Sequence, residues 1–125
     1  MRLTKAEEQI MGYLWNLKNA YLKDILDEFP DPKPAPTTVA TLLKRMTSKR
    51  FVSYHQRGSN REYFPMVKKT EYFSVQVNTM IKDYFNNSAS QFASFVTNET
   101  NLNLTDLEEL KRLVEQKIEN QKKSQ

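Results

Sequence analysis

Residues 36–50 read PTTVATLLKRMTSKR and predict an amphipathic helix with two chemically different faces. One face carries apolar side chains at helical spacing: Val39, Leu42, Leu43 and Met46. The other face carries short hydroxyl groups and cations: Thr37, Thr41, Lys44, Arg45 and Ser48. We expect the apolar face to cover a core, whereas the polar face is either a solvated surface or one that binds a polyanion.

Two shorter helices are predicted before this one. Thr4 and Glu7 have the spacing of a capping box, which indicates a helix over about residues 5–17. A second apolar stripe follows and ends before Pro30, with Leu22, Ile25, Leu26 and Phe29 as its members. Because prolines recur at positions 30, 32, 34 and 36, the connector cannot be helical, and Pro36 suits the first turn of the third helix.

The segment after the third helix predicts a β-hairpin. Two β-prone runs, residues 51–57 and 61–65, are separated by the three residues Gly58-Ser59-Asn60. From Thr70 onward the pattern is helical, with a polar break at residues 86–88 and a final helix expected to begin at a Thr105–Glu108 capping box. The predicted fold class is mainly α with a small β-hairpin wing. We divide it into a winged helix-turn-helix DNA-binding domain, residues 1–69, and a helical dimerisation region, residues 70–125.

Positive charge is concentrated in the middle of the chain. The net charge is +4, yet residues 33–69 carry nine bases against the single acid Glu62, and residues 1–32 and 70–125 each have a net charge of −2. A local excess of cations is the electrostatic pattern expected of a protein that binds a polyanion. The polar face of the third helix and the hairpin both lie in this cationic segment.

These observations predict a set of DNA contacts. In a winged helix the third helix enters the major groove, where an arginine can bond guanine bidentately, and the wing lies along the phosphates. Threonine hydroxyls near the helix start can reach phosphates or base edges, and the remaining cations suit the DNA backbone. The predicted DNA-binding residues are Thr37, Thr38, Thr41, Lys44, Arg45, Lys33, Lys49, Arg57 and Arg61.

The C-terminal helices carry apolar stripes but are too short to bury them among themselves. We therefore expect a homodimer in which a second copy of the chain covers these stripes. The residues predicted at the dimer interface are Phe73, Val77, Met80, Ile81, Tyr84, Phe92, Phe95, Leu107, Leu110 and Val114.

The composition argues against several other classes of protein. With no cysteine, the chain has no disulfides, thiolate metal sites or cysteine nucleophiles. His55 is the only histidine, no catalytic pattern or phosphate loop is present, and we expect no enzyme, no metal and no cofactor. The N-terminus lacks the apolar core of a signal peptide, and no stretch reaches the ~20 apolar residues of a membrane span, so a soluble cytoplasmic protein is expected.

Four segments resemble the penicillinase repressor family, the BlaI/MecI type of regulators. They are LTKAEEQIMGYLW at 3–15, VATLLKRMTSKRFV at 39–52, YFPMV at 63–67 and DLEELKRLV at 106–114. The resemblance implies a repressor of β-lactam-resistance or related genes that dimerises through its C-terminal helices and binds a palindromic double-stranded DNA operator. It also places Thr38, Thr41 and Arg45 at the family's DNA contacts in the helix, and Arg57 and Arg61 in the wing.

The chain departs from the family pattern in three places. Arg50 stands where relatives usually have a glycine that ends the recognition helix. Relatives controlled by a membrane-bound sensor protease are cut at an Asn-Phe bond, but this chain has no Asn-Phe and reads SFVTN at 94–98, which puts that partner in doubt. The absence of cysteine excludes the copper-responsive branch of the family.

Two other function classes remain open from the sequence. A winged-helix module could dock an acidic protein partner through the same cationic strip. That alternative predicts no measurable affinity for duplex DNA at ~50 mM salt, where a protein with several phosphate contacts should bind tightly. An enzyme with an unrecognised site would instead need a pocket lined by convergent polar groups, of which the sequence gives no sign.

Overall fold

The computed structural model describes residues 2–125 and confirms the predicted order of elements. Six helices and one hairpin follow one another: α1 Lys5–Leu17, α2 Leu22–Glu28, α3 Pro36–Ser48, β1 Val52–Arg57, β2 Asn60–Pro65, α4 Lys69–Tyr84, α5 Ala89–Glu99 and α6 Leu104–Lys123. The chain forms two compact units, residues 1–77 and 78–125, so the division of the sequence falls within α4, whereas the sequence pattern predicts a boundary between residues 69 and 70. Within the described residues, no helix is both long enough and apolar enough to cross a membrane.

The core of the first unit lies under α3. Three members of its apolar stripe, Val39, Leu43 and Met46, are completely buried, and Leu42 is half-buried. They pack with the buried residues of α1, α2 and β1: Ile10, Met11, Leu14, Ile25 and Val52. The apolar face of α3 therefore covers a core, as the spacing predicts, and this packing fixes which side of the helix remains in solvent.

The ends of α1 and α3 follow from local hydrogen bonds. Thr4 and Glu7 form the predicted capping box, with Thr4 Oγ1 accepting from the Glu7 amide at 3.2 Å and Glu7 Oε1 accepting from the Thr4 amide at 2.8 Å. Helix α3 ends at Ser48, two residues before the predicted end, because Arg50 adopts a φ of +67°. The Phe51 amide then donates to Met46 O and the Arg50 amide to Thr47 O, both at 3.0 Å, which is a Schellman termination.

The hairpin turn is shorter than predicted. Asn60 belongs to β2 and pairs with Arg57, which leaves only Gly58 and Ser59 in the turn. Gly58 has a φ of +62°, as the first turn position of a two-residue loop requires. An isolated bridge joins β2 to the segment after α1, because Ala20 and Tyr63 exchange two backbone hydrogen bonds of 2.9 and 2.7 Å. This bridge anchors the wing to the body of the first unit.

The second unit contains helices with little burial. Neither α5 nor α6 has a single buried residue among the described side chains. Phe85 forms an aromatic cluster with Phe92 and Phe95, at centroid distances of 5.5 and 5.2 Å. The prediction for the start of α6 is wrong by two residues, because Asn103 rather than Thr105 caps the helix and forms a capping box with Asp106. Asparagine is at least as good an N-cap as threonine, and the earlier start adds helical hydrogen bonds.

Candidate nucleic-acid interface

The polar face of α3 is open to solvent. All five of its predicted DNA contacts, Thr37, Thr38, Thr41, Lys44 and Arg45, are exposed, whereas the apolar residues on the other side of the helix are buried. Within residues 2–125, neither Lys44 nor Arg45 takes part in an ion pair. The two cations thus extend from a helix that the core holds in place, and both are available to an external anion.

The exposed hydroxyl groups of α3 differ in what they can offer a ligand. Thr41 Oγ1 donates to the carbonyl of Thr37 at 2.9 Å, and Ser48 Oγ donates to the carbonyl of Lys44 at 3.2 Å. A hydroxyl has one hydrogen, so in this arrangement Thr41 presents only acceptor lone pairs and its methyl group to a partner. Those are the groups that can meet a base amino group or a thymine methyl.

The N-terminus of α3 has no side-chain cap. Its N-cap residue is Ala35, which has no oxygen to accept a hydrogen bond, and Pro36 occupies the first turn. The positive end of the helix dipole is therefore left without an internal carboxylate or hydroxyl cap. Pro36 has no amide hydrogen and the Thr38 amide donates to the carbonyl of Ala35 at 3.0 Å, so this exposed end can offer a phosphate the Thr37 amide and the hydroxyls of Thr37 and Thr38.

The two arginines of the wing have different surroundings. The guanidinium of Arg61 lies over the ring of Tyr54 with its central carbon 4.4 Å from the ring centroid, a cation–π contact. Arg57 Nε lies 3.4 Å from Oε1 of Glu62, which partly compensates its charge. Arg61 is therefore an exposed cation that rests on an aromatic ring and has no acidic partner among the described residues, whereas Arg57 lies beside the carboxylate of Glu62.

Two of the predicted DNA contacts are instead bonded inside the chain. Lys33 Nζ donates to Phe29 O at 2.6 Å and to the carbonyls of Leu26 and Asp27 at 3.3 Å, so it caps the C-terminus of α2. Lys49 Nζ donates to both carboxylate oxygens of Glu7, at 2.9 and 3.1 Å. Because the ammonium groups of Lys33 and Lys49 have partners in the fold, neither lysine is included in the DNA interface proposed below.

Glu7 is the one charged residue in the core of the described chain, and it is completely buried. Burial by itself raises the pKa of its carboxyl group, but hydrogen bonds from Thr4 and the ammonium of Lys49 outweigh burial and hold the pKa below its usual value of 4.5. Because the folded-state pKa is the lower one, the stability contributed by this pair is present above pH ~4.5 and is lost as the pH falls through the folded-state pKa.

The residues predicted at the dimer interface divide into three groups. Phe73 contacts the first unit, with its ring centroid 5.8 Å from that of Trp15, but it is still 39% exposed. Three others are half-buried: Ile81, Phe92 and Leu107. The remaining six are exposed although they are apolar: Val77, Met80, Tyr84, Phe95, Leu110 and Val114. An open, mostly apolar groove of about 580 Å³ runs between α5 and α6, and Phe92, Val96, Leu107, Leu110 and Val114 are among its lining residues.

Several residues of these surfaces were missed from the sequence. Tyr54 supports Arg61 from the neighbouring strand, and Glu62 lies beside Arg57; the alternation of side chains along the two strands could have indicated both pairs. Leu113 and Ile118 belong to the apolar stripe that the sequence predicts for α6 and are exposed as well, although they are not among the predicted interface residues. Glu7 gave no signal beyond its capping role, because its partner lies 42 residues away in the sequence.

Comparisons with known proteins gave a family match and similar solved structures. A family model described as penicillinase repressor matches residues 3–116. Curated proteins gave no match. The solution structure of the DNA binding domain of the repressor BlaI is similar with a TM-score of 0.51 and 22% identity, over 57% of this chain and 88% of that one. The structure of the CopR repressor gives a TM-score of 0.46 and 28% identity, over 54% of this chain and 100% of that one.

Proposed function

This chain belongs to the penicillinase repressor family of DNA-binding transcriptional repressors, and we propose that it acts as a homodimer on a palindromic operator, repressing β-lactam-resistance or related genes. The observation that carries this proposal is the exposed face of α3, on which hydroxyl groups and two cations without internal partners stand above a rigid core. A helix about 20 Å long fits a major groove about 12 Å wide. The proposed site of action is the cytoplasm, where the operator would be found.

The proposed contacts follow from the chemistry of each side chain. Arg45 bonds the O6 and N7 atoms of a guanine, and Thr41 accepts from a base amino group or contacts a thymine methyl. Thr37, Thr38 and the uncapped helix N-terminus hold a phosphate, and Lys44 meets another phosphate. Arg45 and Thr41 are thus proposed to recognise the base sequence. Thr37, Thr38 and Lys44 are proposed to position the helix on the DNA backbone.

The wing contributes affinity more than sequence choice. Arg61, held over Tyr54, is ready to meet a phosphate without loss of side-chain freedom. Arg57 is expected to contribute less, because Glu62 beside it competes with the phosphate for the same guanidinium. Both arginines are proposed to contact the DNA backbone next to the groove that α3 enters.

The second unit is proposed to join two copies of the chain. Two-fold symmetry would present two α3 helices to half-sites about 34 Å apart, or a multiple of that distance, which is why the operator should be palindromic. A membrane-bound sensor protease remains a doubtful partner, because the chain lacks the Asn-Phe bond that such proteases cut in relatives.

Selection of bound duplexes from a random pool tests the proposal directly. We expect enrichment of a palindrome, with binding that weakens steeply as salt rises. Binding to random duplex that is as tight as to any selected one, across salt concentrations, would contradict a sequence-specific repressor. No measurable duplex binding at ~50 mM salt would favour the alternative, a module that docks an acidic protein.

Paired substitutions test the division of roles on the duplex that the selection recovers. Arg45→Ala should weaken binding to that duplex by about 1 to 3 kcal/mol while changing binding to random duplex much less. Arg61→Ala should weaken both and lower the magnitude of the salt slope by about one. Fluorescence anisotropy at several salt concentrations measures both effects, and equal losses from the two changes would refute the assignment.

A further inference from the structure

The pair formed by Glu7 and Lys49 joins the end of α3 to the start of α1. The Glu7 carboxylate is completely buried, and it accepts from Lys49 Nζ with both oxygens and from the Thr4 amide. The Lys49 side chain keeps a quarter of its surface in solvent. All the buried side-chain polar atoms of the described residues have a hydrogen-bond partner, so this pair is a fully satisfied site and not a trapped charge.

Lys49 occupies a position from which it can control the orientation of α3. It is the C-cap residue of that helix, and its amide donates to the carbonyl of Arg45 at 3.0 Å. Arg45, the proposed reader of a guanine, therefore lies one turn before the point where the helix is tied to α1. A rotation or shift of the helix end would be passed directly to the Arg45 side chain.

The first turn of α1 binds Lys49 through Glu7, and it also binds α4 through the neighbouring residue Glu8. Glu8 Oε2 accepts from the Tyr72 hydroxyl at 2.6 Å, and the Tyr72 oxygen accepts from the Leu3 amide at 3.1 Å. The first turn of α1 is thus a junction at which two adjacent glutamates bind α3 and α4. These hydrogen bonds fix the position of the C-terminus of α3 relative to α1 and α4 within the first unit.

Stability alone gives little reason for a buried ion pair here. Replacing such a pair by well-packed apolar residues is often neutral or stabilising, whereas the pair demands a fixed geometry of both partners. We propose that Lys49 is a positioning residue, which touches no DNA itself and, through its ion pair with Glu7, holds α3 so that Arg45 reaches its base. This inference rests on the proposed function, because it assumes that α3 reads the operator.

The double variant Glu7→Gln with Lys49→Met tests the inference. It removes the pair without leaving a buried charge unpaired, keeps an acceptor for the Thr4 amide and leaves the net charge of the chain unchanged. We expect a folded protein whose preference for the selected palindrome over random duplex falls roughly fivefold or more, the loss expected when one base contact is misplaced. The salt slope should stay at the wild-type value, because no phosphate contact is lost.

Lys44→Met is the matched control, since Lys44 is an exposed cation on the same helix. It should reduce the magnitude of the salt slope by about one and leave the preference for the palindrome nearly intact. Glu7→Gln alone serves as a second test, because Lys49 can then turn into solvent and no buried charge remains. It should also reduce the preference while thermal unfolding confirms a folded chain.

The outcomes separate this inference from the function on which it rests. A wild-type protein that does not prefer the palindrome would refute the proposed function itself. A preference in the wild type that persists in folded double and single variants would overturn the positioning role. A lower salt slope in the double variant would show Lys49 to be a phosphate contact, and failure of both variants to fold would assign the pair to the fold alone; either result overturns the inference.

Discussion

The two compact units differ sharply in how they bury apolar side chains. The core residues of the described chain, from Leu3 to Tyr72, all lie in the first unit, residues 1–77. In the second unit, residues 78–125, the helices α5 and α6 have no fully buried side chain, and apolar residues such as Leu113 and Ile118 remain about half exposed. The first unit therefore has a core of its own, whereas the second leaves an apolar surface that a second copy of the chain is proposed to cover.

The largest effect is expected in the core of the first unit. Leu14→Ala removes a completely buried side chain and should lower the free energy of unfolding by about 2 to 5 kcal/mol. Leu17→Ala, on the same helix but 37% exposed, is the control and should cost much less. Urea denaturation at one fixed protein concentration measures both changes, and similar losses would mean that the first unit does not depend on this core.

A smaller effect is expected from a charge on the exposed stripe of α6. If a second copy covers that stripe, Val114→Asp buries a carboxylate at the interface and should raise the dimer dissociation constant by at least about thirtyfold, or roughly 2 kcal/mol. Gln116→Asp places the same charge on a neighbouring polar position and should leave the dimer intact. Sedimentation equilibrium distinguishes them, and a monomeric wild type at micromolar concentration would contradict the proposed dimer.

The same comparison shows which features the sequence could predict. The capping box at Thr4 and the hairpin rest on contacts between residues close in the chain, and the stripe of α3 follows from helical spacing, so all three patterns are visible in the sequence. The intramolecular partners of Lys33 and Lys49 depend on how the chain packs, so the charge pattern of the sequence could not predict them. The start of α6 was misplaced because two capping boxes, at Asn103 and Thr105, overlap and only one can begin the helix.

The candidate interface was easier to predict than the dimer surface for a physical reason. Exposed polar residues on a helix with one apolar face must lie opposite that face, so Thr37, Thr41 and Arg45 could be placed once the stripe was recognised. Apolar residues of a tail carry no such constraint, because either their own unit or another chain can cover them. Phe73 is an example: it belongs to the apolar stripe of α4 that was predicted to form a dimer interface, yet its ring contacts Trp15 of the same chain.

The smallest expected effect concerns residues with positive φ angles, which occur in both units but differ in residue type. Arg50 in the first unit and Asn87 in the second both have positive φ angles, +67° and +55°. Arginine is disfavoured in this region by about 1 to 2 kcal/mol, whereas asparagine enters it more readily. In the first unit the strain is offset by the packing of Phe51, which follows Arg50 directly and is buried against Tyr72.

Arg50→Gly should therefore stabilise the protein by about 0.5 to 1 kcal/mol, because the relief of strain exceeds the extra freedom that glycine gives to the unfolded chain. Asn87→Gly, the matched change in the second unit, should have almost no effect, since little strain is relieved there. Thermal unfolding of both variants measures the difference at equal protein concentration. A gain at Asn87 as large as that at Arg50 would mean that the core of the first unit is not what sustains the strained residue.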